Sequence, residues 1–224
     1  MAPRPGCLLK SLTNGGTELT VQVELLIRKE YRTNYQGLKV LDIGGYFGES
    51  AIFFVSAGAE SVVCVEPYPP ALRRISENLK LSSIKDRVKV IAAAVGPERG
   101  EGLLLVSKAD PMGNALQGLE GPKVVTNSSS AVKVPTLTFE DVLNEANWEV
   151  VDVTKLDCEG CEYAIFSTVS DENLRRVKVW IIEFHDGAER LLQRLRHLGY
   201  QTRCHQRPNK TGIIWAWLPE ATLP

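Results

Sequence analysis

Three groups of residues in this chain have types and spacing suited to chemistry. The first is Asp42-Ile43-Gly44-Gly45-Tyr46-Phe47-Gly48-Glu49-Ser50, which closes an apolar run beginning at Leu38. Glycines let backbone approach a bound molecule closely, and a helix starting behind them offers unpaired N–H groups. The second is Glu66-Pro67, 18 positions beyond Gly48. A carboxylate has acceptor capacity only, so at that distance from a glycine turn it suits the adjacent hydroxyls of a ribose. The third is Asp157-Cys158-Glu159-Gly160-Cys161-Glu162, with His185 further along. Carboxylates crowded beside a glycine are a poor choice for stability alone. Together with a histidine they suit proton transfer: His has the fitting intrinsic pKa, whereas a carboxylate needs desolvation to become basic enough.

Spacing excludes two common nucleotide sites. A dinucleotide fingerprint needs glycine at i, i+2 and i+5. Counted from Gly44 those places hold Tyr46 and Glu49; counted from Gly45 they hold Phe47 and Ser50. A P-loop is excluded because no Gly-Lys-Ser/Thr follows. What stands is Asp-x-Gly-x-x-x-Gly. Cysteines occur at 7, 64, 158, 161 and 204. The odd count and settings such as Val63-Cys64-Val65 read as free thiols. Cys158-Glu159-Gly160-Cys161 is formally a CxxC. A zinc site would need two further ligands, for which Cys204-His205 is the only nearby-looking pair. Neither zinc nor a redox pair is the expected reading; two small residues at a strand end are. No metal is expected.

The chain has 224 residues and a net charge of −1. That length suits one sizeable α/β domain, read here as residues 21–224 after a lead-in over 1–20. Near-neutral charge gives no electrostatic footprint for nucleic acid or anionic membrane. No apolar run approaches the roughly 20 residues a spanning helix needs, and Met1 to Lys10 lacks the apolar core of a secretory signal. A soluble cytoplasmic protein is the default reading.

The elements that must position the three groups follow from periodicity. Val21 to Arg32 reads as a helix. Leu38 to Ile43 reads as a buried strand, followed by a helix with Ala51, Ile52 and Val55 on one face and Gly58 at its end. Ser61 to Val65 is a second apolar strand ending at Glu66, as a parallel strand covered on both faces would be. Tyr68-Pro69-Pro70 opens a helix with Leu72, Ile75 and Leu79 inward. Val88 to Val95 reads as one strand, with Ala93 and Ala94 small enough to leave room for a flat ring. Gly102 to Val106 and Val132 to Val134 read as short strands around a lid or recognition loop over 108–131. Thr138 caps a helix with Asp141 three positions on. Asp152 to Leu156 and Val177 to Phe184 are strands delivering the acidic group and His185. Helices follow over Glu162 to Val169 and Gly187 to Leu198, and Tyr200 to Gln206 with Gly212 to Leu218 closes as a hairpin. In an open parallel sheet, ligands bind at the carboxyl edge, where all three groups would lie.

The glycine motif resembles the first motif of class I S-adenosylmethionine-dependent methyltransferases. Three further stretches, Val65-Glu66-Pro67, Lys155-Leu156-Asp157-Cys158-Glu159-Gly160-Cys161-Glu162 and Ile181-Ile182-Glu183-Phe184-His185, make the chain resemble the FkbM-like family among them. Gly45-Tyr46 stands where that family usually has Ala-Asn, and Thr138 where it often has Asp. The resemblance implies a three-layer αβα Rossmann-like fold with a mostly parallel seven-stranded sheet and a C-terminal antiparallel hairpin. It implies S-adenosyl-L-methionine as cofactor and methyl transfer to an oxygen of a small-molecule or sugar-like acceptor. Gly44, Gly45, Tyr46, Phe47, Gly48 and Ser50 would then surround the methionine part, with Glu66 and Pro67 at the ribose and Ala93 and Ala94 at the adenine. Asp42 would reach the cofactor amine or orient the loop. Asp157 would face the methyl group, and Glu159 or His185 would accept the proton. The rival readings are an RNA or protein methyltransferase and a non-catalytic module that kept cofactor binding. No Asn/Asp-Pro-Pro-Tyr motif or basic cluster supports the first, and the acidic group at 157–162 argues against the second. The sequence assigns no oligomeric state.

Overall fold

A computed structural model describes residue 31 and residues 34–107, 113–119 and 128–221. The lead-in and nearly all of the helix expected over Val21 to Arg32 lie outside the described residues. A seven-stranded sheet forms the centre. Its strands are β1 (Lys39–Ile43), β2 (Ser61–Val65), β3 (Val88–Ile91), β8 (Val151–Leu156), β9 (Val177–Phe184), β10 (Gln201–Gln206) and β11 (Gly212–Trp217). The spatial order is β10-β11-β9-β8-β1-β2-β3. The strands from β9 to β3 pair in parallel, whereas β11 runs antiparallel to β9 and β10 antiparallel to β11. From β1 the chain first winds outward through β2 and β3. It then returns to the other side of β1 as β8. The crevice between the carboxyl ends of β1 and β8 is therefore the topological switch point.

Pleating sends alternate β1 side chains to opposite layers. Leu41 and Ile43 join the core beneath α3 (Phe139–Ala146), α4 (Cys161–Thr168), α5 (Asp171–Arg175) and α6 (Glu189–His197), whose inward residues include Phe139, Phe166, Leu174 and Leu191. Val40 joins the opposite core, with Phe54 of α1 (Glu49–Ser56) and Ile75 and Leu79 of α2 (Pro69–Leu81). The result is the three-layer αβα arrangement. Two apolar layers cover both faces of the central strands, so nearly all of their residues are buried. Asp42, Thr154 and Lys155 are the buried polar residues on β1 and β8.

Two expectations change. The stretch Val88 to Val95 is not one strand. It breaks after Ile91, where Ile91 O accepts from both Glu66 N and Ala93 N, and β4 (Ala94–Val95) leaves the central sheet. β4 pairs with β7 (Ser128–Leu137) in a second sheet of order β4-β7-β5-β6. Here β5 is Gly100–Ser107 and β6 is Ala115–Leu116. The short strands expected near 102–106 and 132–134 are thus the middles of a long antiparallel pair, Gly100 facing Thr136 and Ser107 facing Ser128. Part of the expected loop is itself a strand, β6, laid along β5. The small helix α5 was not expected from periodicity; Ser170 caps it by accepting from Asn173 N at 3.3 Å.

Candidate active site

β1 ends at Ile43 and the chain turns through backbone that glycine permits. Gly44, Tyr46 and Gly48 have φ of 84°, 43° and 85°. Gly44 N and Gly45 N both donate to Val65 O, tying the turn to the end of β2. A Cβ on Gly44 would lie 1.7 Å from the carbonyl oxygen of Asp157, so the glycine turn and the turn after β8 touch backbone to backbone. Glu66 closes β2, buried. Its Oε2 accepts from Tyr46 N at 2.9 Å and its Oε1 from Tyr68 N at 2.8 Å. Burial pushes its carboxyl up to about 7 against those two hydrogen bonds. Each oxygen keeps a second lone pair for a ligand hydroxyl.

Behind the turn, Asp42 is fully buried and accepts from Ser50 Oγ at 2.6 Å. Lys155 Nζ donates to Gly44 O at 2.6 Å and lies 3.4 Å from Asp42 and 3.5 Å from Asp157. One buried ammonium therefore joins both turns. A buried charge needs such partners, and a lysine inside the buried strand Val151–Leu156 was the signal that it has them. Glu49, the first residue of α1, accepts from Phe47 N at 3.1 Å, and burial raises its carboxyl to about 7.

The turn after β8 carries the acidic group. Asp157 N donates to Ile43 O at 3.0 Å. Glu159 and Gly160 both adopt positive φ, 54° and 113°, and Gly160 precedes α4 as its N-cap. Glu162, fully buried, accepts from Gly160 N at 2.8 Å and lies 2.9 Å from His185 Nδ1. His185 Nε2 faces outward, 3.5 Å from Glu159 and 3.8 Å from Asp157. Burial would lower the His185 pKa, but the bond to Glu162 and the surrounding carboxylates carry it up to about 9. Burial raises Glu159 to about 7, with His185 opposing and the neighbouring carboxylates assisting. Glu183, paired with Arg207 at 3.0 Å, is raised by burial and by Asp157.

One expectation fails here. Cys158 and Cys161 are not free thiols but form a disulfide. The turn into α4 brings their Cα atoms to 5.5 Å, within the range that a bridge requires. Cys64 and Cys204 are free among the described residues.

These groups surround one cavity of about 390 Å³ at the switch point. From the glycine turn it is lined by Gly44, Gly45, Tyr46 and Ser50, from β2 by Glu66 and Pro67, and from the β3–β4 break by Ala93 and Ala94. Asp157, Glu159 and His185 line its other end. Asp42, Phe47 and Gly48, grouped with these by sequence, are not in its lining. Asp42 braces Ser50, Phe47 O accepts from Asn78 at 2.9 Å, and Gly48 is the N-cap of α1. Residues not foreseen also line the cavity: Glu49, Lys155 and Glu183, and Leu104, Asn114, Leu116 and Leu119 from the second sheet and its loop. Glu49 had a signal, an acid directly behind the last motif glycine. The leucines had none, because only the second sheet brings them there. Among the described residues no group of three or more His, Cys, Asp or Glu side chains is arranged to hold a metal ion, and no helix is long and apolar enough to cross a membrane.

A family model, the methyltransferase FkbM domain, matches residues 42–202, from Asp42 of the glycine turn through the whole acidic group. The chain belongs to the FkbM methyltransferase family. It is an S-adenosylmethionine-dependent methyltransferase. An FkbM methyltransferase structure from Methylobacillus flagellatus is similar at 15% identity and TM-score 0.55, covering 89% of this chain and 51% of that one. This FkbM chain thus spans about half the length of that relative. A precorrin-6y C5,15-methyltransferase from Geobacter metallireducens is similar at 16% identity and TM-score 0.51, covering 93% and 91%. A putative tRNA methyltransferase from Streptococcus pneumoniae, solved with S-adenosyl-L-methionine, is similar at 13% identity and TM-score 0.52, covering 91% and 75%. Such identities establish the shared fold alone. No curated protein sequence matches the chain.

The FkbM cavity fits its cofactor, S-adenosyl-L-methionine. Glu66 retains acceptor capacity for hydroxyls at one end, beside the small side chains of Ala93 and Ala94. Glu49, Glu66, Asp157, Glu159 and Glu183 outnumber Lys155 and His185 around the cavity, a balance suited to a cationic ligand.

Proposed function

We propose that this FkbM methyltransferase methylates a hydroxyl oxygen of a small-molecule acceptor, with Glu159 as the proton acceptor. The observation that carries this is the chain that runs from the buried Glu162 through His185 to Glu159 on the cavity lining. When bound, the cofactor supplies an electrophilic methyl group on a sulfonium centre. The protein must then align the acceptor, exclude water and remove its proton.

Glu66 would hold the ribose hydroxyls, and Ala93 and Ala94 would leave space for the adenine. Gly44, Gly45, Tyr46 and Ser50 would shape the methionine end, with Glu49 available to the ammonium. Asp157 would face the reacting methyl. Asp42, Phe47 and Gly48 hold the turn from behind. His185, charged below about 9, is not the base. It orients Glu159, whose carboxyl at about 7 is poised to take a hydroxyl proton near neutral pH. Leu104, Leu116 and Leu119 offer the acceptor an apolar wall.

An RNA acceptor is disfavoured by the excess of carboxylates lining the cavity, which repel phosphate. The deciding experiment supplies methyl-labelled cofactor with a panel of hydroxylated small molecules, tRNA and unfolded protein. Transfer to a small-molecule hydroxyl is the expected result. Transfer to RNA or protein alone would overturn the proposal.

A further inference from the structure

Neither sulfur of the Cys158–Cys161 bridge reacts in the proposed methyl transfer, yet both cysteines line the cavity. Cys161 is 2% exposed, while Cys158 is only partly buried. Attack on the bridge is therefore open at Cys158, from the cavity side. We propose that this pair is a thiol–disulfide exchange site whose state is coupled to occupancy of the cofactor cavity.

Two structural links carry the coupling. The bridge closes a four-residue ring that holds Glu159 and Gly160 in consecutive left-handed conformations. Glu159 is not a glycine, so this shape persists only where surroundings enforce it. The residue entering the ring is Asp157, whose carbonyl oxygen presses on Gly44 and whose carboxylate lies 3.5 Å from Lys155. Lys155 in turn holds Gly44 O. Opening the ring loosens the backbone on which the glycine turn rests.

The exchange is a dithiol reduction. A thiolate of the reductant attacks Cys158 Sγ, the S–S bond breaks, and Cys161 leaves as a thiolate. That sulfur sits in the first turn of α4, where unpaired N–H groups and the helix dipole favour negative charge. The second thiol of the reductant resolves the mixed disulfide. The reductant ends as a disulfide, and the enzyme gains two electrons and two protons. A ligand in the cavity rests on the glycine turn in the shape that the closed ring supports, so occupancy favours the bridged form. By linkage, the bridged form binds that ligand more tightly.

The test titrates the full chain in mixtures of reduced and oxidised dithiothreitol, with and without saturating S-adenosylhomocysteine. Thiol labelling and mass spectrometry follow Cys158 and Cys161. S-adenosylhomocysteine is expected to shift the midpoint toward the disulfide by about tenfold in the reduced-to-oxidised ratio, about 30 mV for two electrons. Calorimetry is expected to find the dithiol form binding it about tenfold more weakly. The Cys158→Ser/Cys161→Ser variant should keep the weaker affinity in every mixture. If that variant does not fold, the wild-type titration decides alone. A midpoint that S-adenosylhomocysteine leaves unmoved overturns the proposal. So does labelling of both cysteines as free thiols in fully oxidised buffer.

Discussion

On the proposed function, a carboxylate and an imidazole 3.5 Å apart divide the acid–base work between Glu159 and His185. The division comes from what lies behind each. His185 has the buried Glu162 at its back, which keeps it charged, whereas Glu159 has no comparable anchor and burial raises its carboxyl. Replacing Glu159 by Gln should lower kcat about 10²- to 10⁴-fold with cofactor affinity little changed, read by turnover on the identified acceptor and by calorimetry. Wild-type turnover should rise as pH passes about 7, when Glu159 loses its proton, and fall above about 9, when His185 loses its charge. The two groups are close enough that these limbs belong to the pair. At the opposite end of the cavity, Glu66→Ala removes acceptors for charge-assisted hydrogen bonds. It should weaken S-adenosylhomocysteine binding by about 10- to 100-fold, equivalent to about 1.5–3 kcal/mol. Unchanged affinity would place the ribose elsewhere.

Elements hold these residues by their ends. Thr138 caps α3 by accepting from Asp141 N at 3.1 Å, while Asp141 accepts from Thr138 N at 3.0 Å. α3 buries Phe139, Val142 and Leu143 in the core, and none of them lines the cavity. Thr138→Ala should therefore reduce the free energy of unfolding by about 1 kcal/mol in urea titrations, with S-adenosylhomocysteine affinity retained. Gly44 is the opposite case, since its space is taken by the backbone of Asp157. The contact that packs β1 against β8 also shapes the glycine turn of the proposed cofactor site.

At the scale of the molecule, the cavity gathers more acid than base. Glu49, Glu66 and Glu159 have folded pKa values raised from 4.5 to about 7, so the folded state holds protons that the unfolded chain releases. The stability they contribute is present below about 4.5 and is lost as pH rises through about 7. His185, raised from 6.5 to about 9, contributes stability that is full below 6.5 and is lost as pH rises through 9. A cationic ligand favours the ionised carboxylates. S-adenosylmethionine affinity should therefore strengthen as pH rises from about 6 to 8, with protons released on binding. Calorimetry in buffers of different ionisation enthalpy counts those protons, and a count of zero at pH 6.5 would contradict this account.

Local pattern alone determined much of this protein. The strand–glycine turn–helix at 38–58, the acid closing β2, the capping box at Thr138 and the apolar parallel strands are all written in neighbouring residues, because backbone sterics and side-chain period act over a few positions. The same locality made the family recognisable. Tertiary structure alone decided what distant segments do to one another. It broke Val88 to Val95 in two, because β4 pairs with a strand some forty residues away. It built the second sheet whose leucines wall the cavity and set Asp42 behind the site. It also drew Lys155 to the glycine turn, 111 residues before it, and Glu162 against His185. Those outcomes depend on which groups share a buried space, where an unpaired charge or donor is too costly to leave alone, and no local pattern records that.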